Sequence, residues 1–124
     1  MNARKIVSLA LLMPLAQVSV AHHSGAMFDD TSSVTLAGTV KQFQWTNPHC
    51  WIQLMVPAQN GPPVEWSVEL GAPFELFRTG MRPGTLKAGD RITVVVHPIR
   101  DGSRAGLFVS ATGPDGKPFG QAAP

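Results

Sequence analysis

Tyrosine is absent from these 124 residues, cysteine occurs once, at Cys50, and only 15% of the chain is charged. A lone cysteine can form neither an intramolecular disulfide nor a C-x-x-C metal or redox motif, so the fold must rest on packing and hydrogen bonds. The formal excess of two positive charges lies in Arg4 and Lys5, and the eight other basic residues balance eight acidic ones. That balance argues against nucleic acid or an anionic membrane as a partner. G-x-S-x-G, H-E-x-x-H and P-loop patterns are missing too, and the serines stand in no nucleophile motif, so an enzyme is not expected. After the first segment no apolar run approaches the roughly 20 residues that cross a bilayer.

What is present begins with a leader pattern. Met1 to Lys5 is a short basic start, Ile6 to Leu15 is apolar apart from Ser8 and Pro14, and Ser19-Val20-Ala21 sets small residues where a signal peptidase reads. This predicts a cleavable signal peptide over 1–21, a periplasmic protein and no stable membrane insertion after cleavage. Ser24-Gly25-Ala26 is an alternative cleavage window, farther from the apolar core. The remaining length, about 100 residues, suits one domain. Its expected parts are an N-terminal arm over 22–33, a barrel over 34–112 and a frayed tail over 113–124.

Period-two alternation predicts the strands. Val34, Leu36 and Val40 share one face, and Phe43 and Trp45 resume one residue out of phase, which suggests a bulge or bend at Gly38. After Pro48, Cys50, Ile52, Leu54 and Val56 point inward while His49, Trp51, Gln53 and Met55 point outward. Asn60-Gly61-Pro62-Pro63 turns the chain into a third strand with Val64, Trp66, Val68 and Leu70 inward and Glu65, Ser67 and Glu69 outward. Pro73, the Phe74/Phe77 spacing and Gly80 predict a short helix. A fourth strand follows over Arg91 to His97 with Ile92, Val94 and Val96 inward, and a fifth places Leu107, Val109 and Ala111 on the core face. Three strands, a helix and two more strands is the order of an all-β, five-stranded OB-like Greek-key barrel.

OB folds bind on the outer face of strands two and three, between the loop joining strands one and two and the loop joining four and five. His49 lies in the first loop and His97 opens the second, so both are expected to flank one cleft, with Trp51, Gln53, Glu65 and Glu69 as candidate ligand-binding residues beside them. Cleavage after Ala21 would make His22 the terminal residue, next to His23. A terminal histidine offers its amine and a ring nitrogen to one cation, and copper(II) favours such nitrogen-rich sites. The candidate metal set is therefore His22, His23, His49 and His97, with copper as the possible cofactor. Blander readings stay open: a polar arm, a turn histidine at position 49, a strand-capping histidine at 97, and two solvated carboxylates at Glu65 and Glu69. Cys50 has inward parity and is expected to be a buried, inert thiol. An alternative function is an interaction module of the cell envelope that takes a protein partner or small ligand on the outer face without metal.

Ala21-His22-His23-Ser24, Leu36-x-Gly38-x-Val40, Trp45-x-Asn47-Pro48-His49, Trp66-x-Val68-Glu69 and Leu86-x-x-Gly89-Asp90 together resemble a family of small exported proteobacterial proteins that carries a domain of unknown function. The resemblance spans nearly all of the chain after the leader. It implies a periplasmic protein, is compatible with the OB reading and brings no activity with it.

Overall fold

The computed structural model describes residues 25–121. The long first strand, β1 (Val34–Gln44), is paired twice. Its first half lies against β4 (Arg91–Pro98), from Val34 opposite Val96 to Thr39 opposite Arg91, and its second half against β2 (Trp51–Val56). β2 pairs with β3 (Val64–Glu69), β3 meets β5 (Ala105–Thr112) in parallel over Ser67–Glu69, and β5 returns to β4. The circuit β1-β2-β3-β5-β4 closes a five-stranded OB-type barrel, and the one α-helix among the described residues, α1 (Pro73–Arg78), lies between β3 and β4 as its proline and glycine signals predict. Gly80 ends it at φ +89°, a conformation only glycine adopts without strain.

The inward sets of β1 to β4 behave as their alternation predicts: Leu36, Val40, Ile52, Leu54, Val68, Ile92, Val94 and Val96 are buried. Burying each aliphatic side chain is worth about 1.5–3 kcal/mol, and this packing replaces the disulfides the chain cannot form. Cys50 belongs to the same core at 0% exposure.

Three details depart from expectation. The register of β1 shifts between Val40 and Gln42, so Lys41 rather than Gly38 is the extra residue. Gly38 answers a different need: a Cβ there would stand 2.5 Å from the Met55 carbonyl oxygen, where β2 crosses closely over β1. The second correction is in β5. Val95 faces Ser110 but Val96 faces Phe108, which leaves Val109 bulged out and 38% exposed, so Gly106, Phe108 and Ala111 take the core side in place of the expected Leu107, Val109 and Ala111. Third, the expected frayed tail carries a sixth short strand, β6 (Pro118–Phe119), paired to Ala111 and Thr112 with Phe119 packed on Phe108.

Candidate functional site

The outer face is organised by register. Gln44 lies opposite Trp51, Trp51 opposite Glu69, Glu69 opposite Leu107 and Leu107 opposite His97, so one row of side chains runs across five strands. A second row is tied by side chains: Gln53 Nε2 donates to Gln44 Oε1 at 2.9 Å, and the Ser67 hydroxyl donates to Gln53 Oε1 at 2.7 Å. This ladder holds Gln53 beside Trp51 and leaves the free hydrogen-bonding capacity at its ends.

His49 enters from the loop before β2, which contains a cis peptide at Asn47–Pro48 and is pinned by the Thr46 hydroxyl donating to the His49 carbonyl at 2.7 Å. Cys50 N–H bonds the Gly71 carbonyl and Leu70 N–H the Cys50 carbonyl, so antiparallel pairing extends beyond β2 and β3 and seats His49 beside Leu70. The His49 Nδ1 lies 3.2 Å from the Leu70 carbonyl oxygen. A carbonyl can only accept, so Nδ1 carries the hydrogen and Nε2 of the neutral ring presents a lone pair. That Nε2 faces Glu69 Oε1 at 3.5 Å.

Glu69 is the residue whose environment the sequence conceals. Its outward parity suggests a solvated carboxylate, yet it is 4% exposed, the one buried charged side chain among the described residues. Trp51 and Leu107 flank it in register on the two neighbouring strands. The basic side chain that faces it at 3.5 Å among the described residues is His49, which forms an ion pair with it only when protonated. Glu65, grouped with it by parity, is separate: four residues along the strand, about 13 Å away, it bonds Lys41 Nζ at 2.7 Å, and that lysine is the bulged residue of β1.

His97 is half-buried, and its Nδ1 lies 2.7 Å from the Ser32 carbonyl oxygen, an acceptor that calls for the hydrogen on Nδ1, as in His49. Its Cα is two strand spacings from Glu69, about 10 Å along the sheet. Among the described residues no group of three or more His, Cys, Asp or Glu converges on one point. His22 and His23 lie outside the described residues. Cys50 Sγ is within 3.8 Å of the Thr46 carbonyl, and burial pushes its thiol pKa up, which suits an inert core residue.

The arm before β1 is fastened rather than loose. Phe28 is buried and bridges Ile99, Asp29 N–H bonds the Pro98 carbonyl, and Arg100 N–H bonds the Met27 carbonyl. Hydrogen bonds from Thr31 and Ser32 hold the Asp29 carboxyl below its ordinary value of 3.8, with Arg100 adding a smaller charge contribution. A lowered pKa stabilises the folded arm above pH 3.8 and loses that effect as pH falls through the folded value. Amide exchange of Thr31 and Ser32 is therefore expected to stay slow down to below pH 3.8 and to rise at lower pH, whereas Asp29→Asn should remove the transition. The backbone part of this fastening, between Asp29 and Pro98 and between Met27 and Arg100, joins segments far apart in the sequence and leaves no mark in side-chain patterns.

Two surface grooves of about 350 Å³ each lie elsewhere, one beside Gly38 and Arg91 and the other beside Leu86 and Phe119. Neither includes His49, Trp51, Gln53, Glu65 or Glu69. The candidate site is thus a shallow outer face with a buried carboxylate at its centre.

Fold and site together define a small closed β-barrel of OB type whose chemistry-bearing residues sit on the outer face of β2 and β3. Residues 10–109 match the model of a family of unknown function, DUF6152, and the chain belongs to that family. No curated protein and no solved structure matches it.

Proposed function

We propose that the chain is a periplasmic binding module whose ligand is a transition-metal cation, copper(II) foremost, held by His49 Nε2 and Glu69 Oε1 and completed by His22 and His23, with His97 as a further donor. The observation that supports this is the seating of the His49 ring between the Leu70 carbonyl, 3.2 Å from Nδ1, and Glu69 Oε1, 3.5 Å from Nε2. With Nδ1–H directed at the Leu70 carbonyl, the neutral ring turns a lone pair toward a buried carboxylate 3.5 Å away. Two electron-rich groups at that distance repel unless a proton or a metal cation lies between them. A ring that donates one N–H to a backbone carbonyl while its other nitrogen faces the cation is the usual support of a metal-binding histidine. Mixed imidazole and carboxylate donors suit copper(II), nickel(II) or zinc(II), and a terminal histidine shifts the preference to copper(II). The arm favours completion from the terminus: Gly25, two residues after His23, opens the stretch tied to Pro98 and Arg100 at the end of β4 that carries His97.

Calorimetric titration of the exported protein with copper(II) and zinc(II) tests the reading. Copper(II) is expected to bind tighter than about 1 mM, with His49→Ala weakening it roughly tenfold or more and Trp51→Ala leaving it nearly unchanged. Affinity equal in the parent and His49→Ala would remove the site. A second reading, a metal-independent module for a small polar ligand or an envelope protein, is favoured by the half-buried Trp51 beside the Gln44–Gln53–Ser67 ladder. Under that reading Trp51→Ala, and not His49→Ala, abolishes recognition.

A further inference from the structure

The two most exposed large apolar side chains among the described residues are Phe74 and Phe77, at 65% and 56%, and both belong to α1. Leu76 on the same helix and Met81 just after it are buried and fix its inner face to the barrel. The rings therefore project from an anchored element rather than from a loop that could fold them away. Arg82 lies over the Phe77 ring, 3.6 Å from its centroid, and donates from Nη1 to the Phe77 and Met81 carbonyls. Arg78, also exposed, follows Phe77 directly. Neither arginine forms an ion pair among the described residues, and the local carboxylate, Glu75, is turned back to accept the Ala72 N–H at 2.7 Å.

We propose that α1 and the turn after it form a peripheral docking tip for an anionic bilayer surface, with Phe74 and Phe77 entering the headgroup layer and Arg78 and Arg82 binding lipid phosphates. Phenyl rings gain from leaving water at that depth, and the guanidinium fork matches phosphate oxygens. A bilayer fits better than an extended peptide because the two rings and both arginines are exposed on one short anchored segment, and neither the groove beside Gly38 nor that beside Leu86 includes a residue of α1. The overall charge balance supplies no net attraction to such a surface, so the attraction must come from the local arginines, which act within about 10 Å. Such docking is superficial and differs from membrane insertion. It shares no residue with the metal reading, so either can fail alone.

Cosedimentation of the purified protein with phosphatidylglycerol–phosphatidylethanolamine vesicles, and separately with phosphatidylcholine vesicles, tests the proposal. The protein is expected to sediment with the first and stay in solution with the second. The double variants Phe74→Ser/Phe77→Ser and Arg78→Gln/Arg82→Gln should each lose roughly tenfold or more of the binding. All four positions are exposed, so unchanged thermal unfolding verifies that the variants fold. Parent protein that fails to sediment with the anionic vesicles, or either double variant sedimenting like the parent, would overturn it.

Discussion

Glu69→Gln is expected to unfold at the same or a higher urea concentration than the parent, while its affinity for copper(II) falls tenfold or more. The two halves have one cause. At 4% exposure the Glu69 side chain keeps little contact with water, and burying an ionised carboxylate costs free energy unless it is paired. Its partner recovers little of that: His49 is 38% exposed in its side chain, 3.5 Å away, and positively charged only when protonated. Glutamine keeps the shape and removes the charge, so stability should rise by about 1–2 kcal/mol or hold level. The same exchange replaces an anionic donor with a weak neutral one, and binding that relies on it should drop by the 10–100-fold typical of damaged metal sites. A residue that lowers stability and is needed for binding is one retained for function. Parallel urea unfolding and calorimetry decide the matter: a loss of more than about 2 kcal/mol with copper affinity intact would make Glu69 a structural residue.

Gly106→Val should have the largest effect on the fold, about 3 kcal/mol of lost stability. Gly106 faces Val68 across the parallel pairing that closes the barrel and Pro98 across the antiparallel one. A Cβ there would stand 2.5 Å from Val96 Cγ2, 2.7 Å from Val96 Cβ and 3.0 Å from the His97 carbonyl oxygen. Val96 is fully buried and cannot retreat without disturbing the core, and the carbonyl belongs to β4 itself. The clash therefore opposes the seating of β5 against β4, and only through that displacement its closure against β3. Gly84→Ala, where an added Cβ meets nothing within 4 Å, is the matched control and should shift the urea midpoint little. Equal midpoints for the two variants would show that β5 can move outward without loss, and that the parallel contact contributes little to stability.

Both predictions concern places where a local pattern stops being informative. The inward positions of β1 to β4 and the single helix were legible because alternation, proline and glycine are local signals, and a barrel core needs one buried face per strand. The register slip in β1 is legible in the phase change before Phe43, but its position at Lys41 depends on which residues face Leu54 and Gln53 on β2. Val109 departs from its parity for the same reason: a bulge breaks the alternation, and only the pairing of Val95 and Val96 reveals it. Pro118 and Phe119 looked like tail because a two-residue strand has no period to read.

The sequence by itself determined an all-β barrel of OB order and the outward direction of His49, Trp51, Gln53 and Glu69, since side-chain direction in a strand follows from counting residues. Tertiary structure alone decided that Glu65 pairs with Lys41 in the open while Glu69, four residues on, is buried against His49. It also decided which ring nitrogen of His49 is free, because the Leu70 carbonyl that orients it comes from the neighbouring strand end. Direction is a property of one strand, whereas burial, charge pairing and tautomer depend on what adjacent strands set beside a residue, and that is fixed only when the barrel closes.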